Sequence, residues 1–314
     1  MSLTTARSRS RAEDRAAPAT SSRRGWIDRH ARLLFLAPAI LYLAALTVFP
    51  FVYSVLLSGT NRNLARPGAA AFVGGANYVA LASTPLFHQA LLNTAFITVG
   101  SIAVELVIGF AIARAFFLIR DRRGVGGVRT LFVLPMMITP VVSGLLWTYI
   151  LNPTLGITNY VLSVLGLPAF SGFASSSTAL ISVILVNSWQ WTPFMMLLAF
   201  AGLSGIAQDQ YEAAAIDGAG LWALIRHIEL PSIRNLLLIG VMFRVIDNFR
   251  LFDVVYVTTR GGPGDVTEVV SMFAYRQMFQ FFNVGFASAV AVVILILGLV
   301  FANILFRFMR RAEA

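Results

Sequence analysis

Four charged residues recur at three-residue intervals, Arg244, Asp247, Arg250 and Asp253, on one side of an otherwise apolar run, with Asn248 beside them. An Arg or Asp facing hydrocarbon near the middle of a membrane costs about 2.5–3.5 kcal/mol on insertion scales, so four such groups must turn toward protein or water. Residues three apart on a helix are within reach, which lets Arg244 pair with Asp247 and Arg250 with Asp253. Two uses follow: an ion-pair network bracing a helix interface, or a polar wall along a solute path. Asn248, deeper and uncharged, is the better solute contact. A second constellation, Asn187, Trp189, Gln190 and Trp191, sets amides and indoles together inside another apolar run. Amides suit sugar hydroxyls and indoles the apolar face of a sugar ring; the same residues also serve hydrogen bonding and packing between helices. Glu105 and Arg114 stand in a third run. Arg114 is expected to reach back to the surface, and Glu105, deeper, is the residue a proton-coupled secondary carrier would use as a relay.

Other chemistries are excluded by residue type. The chain has no Lys, which removes a P-loop Lys, a Schiff-base Lys and a Lys general base, and no Cys, which removes disulfides and thiolate metal sites. His30, His88 and His227 are far apart in different connecting segments, against a His-based metal cluster. No Ser stands beside a plausible base, against an intramembrane hydrolase. A secondary carrier usually shows internal repeats and paired broken helices, and the sequence has neither.

These residues need a membrane-embedded frame. The 314-residue chain is 58% hydrophobic and only 12% charged, with a mean hydropathy of +0.77. A helix needs roughly 20 apolar residues to span about 30 Å of hydrocarbon, and runs at 33–57, 90–117, 130–150, 179–203, 236–257 and 284–306 meet that length. The expectation is an all-α, polytopic membrane protein with six transmembrane helices. The net charge of +10 does not point to nucleic acid. Arg residues crowd before the first run, after the second (Arg120, Arg122, Arg123, Arg129) and at the end (Arg307, Arg310, Arg311), whereas 151–178 carries no charge. This positive-inside pattern places both termini in the cytoplasm. Residues 1–32 read as a disordered basic tail, 33–306 as the transmembrane domain and 307–314 as a short cytoplasmic tail. The first run is too long for the apolar region of a signal peptide, so cleavage is not expected.

Between the fourth and fifth runs, 205–235 is too polar for lipid and too regular for a linker. Asp209 followed by Glu212 and a run of Ala predicts a helix that Gly218, Ala219 and Gly220 end; a second amphipathic segment, 221–230, reaches Pro231, which breaks it or starts the next span. Glu212-Ala213-Ala214, then Gly218, then Ile228-x-Leu230-Pro231 resembles the EAA loop of permease subunits in binding-protein-dependent ABC importers. Phe72 to Tyr78, Asn93-Thr94, Val186 to Trp189, Phe252 to Tyr256 and Thr259 to Pro263 are similar to carbohydrate permeases of the maltose type, in a shorter form of the larger subunit.

The resemblance implies a type I ABC importer fold in a bacterial inner membrane. It implies a second homologous permease subunit, two ATPase subunits that bind ATP and Mg, an extracytoplasmic solute-binding protein and a carbohydrate or polyol phosphate cargo, with no cofactor in this chain. Tyr211, Glu212, Ala213, Ala214, Asp217 and Gly218 would dock on an ATPase. Sugar contacts would come from Asn187 and Gln190, and from Asn152, Leu155, Gly156 and Asn159 after the third span.

Overall fold

The computed structural model describes residues 21–66, 68 and 70–313, and among them every regular element is helical, apart from one isolated bridge between Thr60 and Phe72. In order these are α1 (Ser21–Ser58), α2 (Ala76–Ala82), α3 (Pro85–Leu118), α4 (Val125–Met137), α5 (Pro140–Ile150), α6 (Ile157–Val164), α7 (Ala179–Ser204), α8 (Gln208–Ile216), α9 (Leu221–Leu224), α10 (Leu230–Asn248), α11 (Asp253–Thr258), α12 (Val270–Tyr275) and α13 (Val284–Glu313). Short π-helical turns, Ile225–Glu229 and Arg276–Gln280, follow α9 and α12. The chain divides into two units, 1–53 and 54–314, the first holding most of α1.

Four stretches, Phe35–Ser58, Pro85–Leu118, Ala179–Ser204 and Val284–Ile304, are long and apolar enough to cross a membrane, and α4 with α5 makes a fifth if the bent pair is one span. The run expected as the fifth crossing, 236–257, holds most of α10, whose 19 residues carry Arg234, Arg244 and Asp247 and which is not among these stretches. Helix runs into both predicted tails. α1 starts at Ser21, not at residue 33, and α13 continues to Glu313. Extending an existing helix costs far less than nucleating one, and Arg and Ala are good helix formers, so helix propagates outward from each apolar run. The rest of the predicted disordered tail, residues 1–20, lies outside the described residues.

Two predicted spans are broken. The run at 130–150 splits into α4 and α5, bent by 97°. Pro140 disfavours helical backbone in the residue before it, and Thr139 is extended at φ −66° and ψ 145°. The run at 236–257 splits where α10 ends at Asn248 and α11 restarts at Asp253. The carbonyl of Leu251 in this gap accepts a hydrogen bond from the hydroxyl of Ser271, so the freed backbone is satisfied within the protein.

α3 and α7 form the most extensive helix pair. Gly109 lets them meet, because a Cβ there would lie 2.9 Å from Met195 Cβ and 3.0 Å from the Met196 amide nitrogen. One apolar cluster gathers Ala113, Phe116, Met196, Ala199, Leu203 and Ile233 near the end of α7 that leads to α8. A second joins Ile97, Val183, Val255, Val269 and Met272, and a third joins Phe87, Val270, Phe273, Phe286 and Val290. Between them lies the polar centre formed by α3, α7 and α10.

Candidate translocation wall and coupling helix

Arg244 is 1% exposed and every side of its guanidinium is engaged. Its Nε donates to Glu105 Oε2 at 2.8 Å and its Nη2 to Glu105 Oε1 at 2.8 Å, a bidentate pair across α10 and α3. Nη1 donates to Asp247 at 2.5 Å, Nη2 also reaches Asn248 Oδ1 at 3.3 Å, and the group lies 4.6 Å from the centre of a Trp191 ring. The Arg244–Asp247 pair is as the spacing predicts. Arg250 and Asp253 form no ion pair among the described residues. The reason is the helix break: α10 has ended before Arg250 and Asp253 opens α11, so the i,i+3 geometry of a continuous helix does not apply to them.

Asn187 and Asn248 meet, as Asn187 Nδ2 donates to Asn248 Oδ1 at 2.8 Å and to Ser101 Oγ at 3.1 Å. Gln190 Nε2 donates to the Ile138 carbonyl at 2.7 Å, just before the bend between α4 and α5. Asn187, Gln190, Trp191, Asp247, Arg250 and Asp253 line one small cavity of about 70 Å³. Complete small-molecule sites span roughly 300–1,000 Å³, so this is a portion of a wall. Trp189 lines a different cavity, of about 460 Å³ and mostly apolar, where its ring meets Trp147 edge-on at 5.6 Å.

The four positions after the third span are not brought to this wall. Asn152 Oδ1 accepts from the amides of Thr154 and Leu155 at 3.0 Å each, and Asn159 Nδ2 donates to Pro153 O and Phe170 O while its Oδ1 accepts from Phe170 N. Both side chains shape their own loop. Gly156 is packed against the Asn152 carbonyl, and Leu155 is exposed.

In α8 the predicted docking residues divide between two faces. The Tyr211 ring lies tilted against Phe117 with centres 5.8 Å apart and Ala214 is buried, so this face anchors the helix to the end of α3. Glu212, Ala213, Ile216, Asp217 and Gly218 are exposed. Gly218 has φ +68°, and the Ala219 amide donates back to Ala214 O at 2.9 Å while the Gly218 amide donates to Ala215 O at 3.2 Å, the bond pattern of a left-handed C-terminal cap. Of the two roles expected for Pro231, it takes the second, standing in the first turn of α10 without breaking the segment before it. The helical path runs through α9, the π-turn and α10, and the wider turn at 225–229 accommodates the missing Pro231 donor.

Three acids act where the sequence did not place them. Glu229, 1% exposed, receives Arg114 Nε at 3.0 Å, so Arg114 does not reach out to the surface. Glu105 is held by Arg244. Glu268, in the connection after α11, lies 3.2 Å from Arg276. The signal available for the first two was a shortage of partners, since a buried acid and a buried Arg in separate apolar runs each require an opposite charge.

Residues 105–313, covering α3 from Glu105 to the end of α13, match the family described as binding-protein-dependent transport system inner membrane component. The chain belongs to this family. Among the permease's relatives, the trehalose transport system permease protein SugA of Mycobacterium tuberculosis is 36% identical over 284 residues, covering 90% of each chain. The trehalose/maltose transport system permease protein MalF of Thermococcus litoralis is 30% identical over 276 residues, covering 87% of the permease and 92% of that protein. The permease also shares its fold with a chain in the crystal structure of a bacterial alginate ABC transporter in complex with an alginate pentasaccharide-bound periplasmic protein, at a TM-score of 0.77 and 22% identity, over 91% and 96% of the two chains.

Proposed function

We propose that this permease forms half of the translocation pathway of an ATP-driven importer for a sugar. A homologous second permease supplies the other half, two ATPase subunits bind ATP and Mg, and an extracytoplasmic solute-binding protein delivers the cargo. Both termini and α8 lie in the cytoplasm, in keeping with the Arg distribution. The relatives named for trehalose and maltose support the cargo class.

One observation carries the coupling mechanism. α8 presents a free face of Glu212, Ala213, Ile216, Asp217 and Gly218, while its opposite face and its stem are tied into the spans by Tyr211 on Phe117 and by Arg114 on Glu229. An ATPase that moves this face therefore moves α3 and α10 with it as a rigid body. Closure of the ATPases on ATP opens the pathway outward to receive solute, and hydrolysis resets it inward. Replacing Gly218 by Trp, or Glu212 by Lys, is expected to abolish sugar uptake and its coupling to ATP hydrolysis in proteoliposomes while membrane insertion persists. At φ +68° any L side chain is strained, by about 1–2 kcal/mol, and the new ring would also project from the docking face. Normal uptake by both variants would refute docking through α8.

A further inference from the structure

We propose that the wall lined by Asn187, Gln190, Asp247 and Asp253 selects neutral polyhydroxylated solutes and turns anions away, and that Arg244, clamped by Glu105, is the positioning residue that sets its polarity. This deepens the sugar-importer reading and rests on it.

The starting point is that Arg can only donate. Arg244 Nη2 faces Asn248, so Asn248 must present its Oδ1 to the guanidinium. That same oxygen lies 2.8 Å from Asn187 Nδ2, which fixes the Asn187 amide in turn. Both hydrogens of Asn187 Nδ2 are then committed, to Asn248 and to Ser101, and only its Oδ1 remains for the cavity. Gln190 is fixed by an independent route. The Ile138 carbonyl can only accept, so Gln190 gives it Nε2 and keeps Oε1, which is buried and has no partner among the described residues. Gln190 and Asn187 are 2% and 1% exposed. Neither amide can turn over without setting donor against donor or acceptor against acceptor.

The wall therefore offers acceptors, Asn187 Oδ1 and the carboxylates of Asp247 and Asp253, with Arg250 as the cation among them and Gln190 Oε1 buried behind them. Hydroxyl groups can donate to these three acceptors, while a fully ionised phosphate or carboxylate can donate to none. Charge points the same way. Glu105, Asp247 and Asp253 outnumber Arg244 and Arg250 by one, leaving the centre with one net negative charge. Exclusion by unpaired and like-charged groups is a device for specificity independent of affinity for the right solute.

The test uses the permease assembled with its partner permease and ATPases and purified in detergent without the solute-binding protein, so that selection by that protein is removed. Trehalose and maltose are titrated against trehalose 6-phosphate and glucuronate, and binding is read as the tryptophan fluorescence change that disappears in Trp191→Phe. A saturable response to a neutral sugar is expected, with the anions at least about tenfold weaker. Asp253→Lys, at an exposed position, should bring the anions within about twofold of the sugars. Arg244→Lys retains the charge but cannot hold Glu105 bidentately and fix Asn248 at once, so the Kd for the sugar should rise about tenfold. A residue that only braced the helices through its charge would be rescued by Lys. Anions that bind the wild type as tightly as sugars, or a ratio of sugar to anion affinity unmoved by Asp253→Lys, would overturn the proposal. Binding-protein-driven uptake of sugar without any Trp191-linked response overturns the wall alone. Failure of the complete system to take up any sugar overturns the importer reading and the wall with it.

Discussion

Glu268 sits in the connection between the fifth and sixth spans, fully buried, with Arg276 at 3.2 Å and Asp265 nearby. Burial is the largest influence on its carboxyl and raises the pKa from 4.5 to about 7; Arg276 lowers it and Asp265 adds to the rise. With the folded value above the unfolded one, the folded protein holds a proton that the unfolded chain releases. The stabilisation is complete below about pH 4.5 and is lost as pH climbs through about 7. Glu268→Gln, which mimics the protonated form, is expected to raise the Tm of the purified complex at pH 8 and to flatten its decline between about pH 5 and 8. A wild-type Tm that rises over that range would contradict this. The polar centre was legible at this scale only where pairing is local. Arg244 with Asp247 follows from three-residue spacing, whereas Glu105 stands 139 positions from Arg244 and Arg114 115 positions from Glu229. Nothing in local periodicity joins residues so distant. The amides of Asn152 and Asn159 bond within their own loop for the opposite reason: short polar side chains in a turn find backbone partners nearby.

In the proposed coupling, α8 and its stem move as one only if the stem is clamped to α3, and the Arg114–Glu229 pair would be that clamp. Arg114→Met would leave Glu229 buried and uncompensated, at a cost of about 3–5 kcal/mol. The expected outcome is a lower Tm of the complex and ATP hydrolysis that continues with reduced sugar uptake. Replacing both residues by Met should restore much of the Tm, since two apolar groups strand no charge, without restoring coupling. A single variant with wild-type Tm and uptake would show that the pair clamps nothing. Element identity was readable from the sequence where apolar length and end signals agree, as in α3, α7 and the Gly-ended α8. Element continuity was less so. Pro140 was visible, yet the apolar run read straight through it, because composition reports how much of a segment avoids water and not whether its axis is straight. The fifth span was misread in the same way at 249–252, where the gap is held by Ser271 from a distant helix.

For the molecule as a whole, the orientation inferred from Arg residues makes a direct prediction. The chain has no Cys, so single cysteines report their side of the membrane without background. Ser176→Cys is expected to react with an impermeant maleimide added outside intact cells, and Ala207→Cys only after the cells are opened. The reverse pattern would invert the topology and remove α8 from reach of any cytoplasmic ATPase. Fold class and family could be read from the sequence because hydropathy and the Glu212 to Pro231 spacing are global and local signals that agree. The π-turn at Ile225–Glu229 was invisible to both, and it has a consequence for how the permease could have evolved. A π-turn is the trace that one inserted residue leaves in an α-helix that refuses to shift its neighbours. Deleting one residue there should heal the turn into regular α-helix with both flanks left in phase, whereas a deletion within the regular helix of α10 should swing everything on its N-terminal side by about 100° around the axis. The bulge thus marks a stretch of this path where a residue can be lost without turning the exposed face of α8 away from the polar face of α10, while a one-residue deletion in the regular helix beside it would leave both surfaces intact but facing the wrong way.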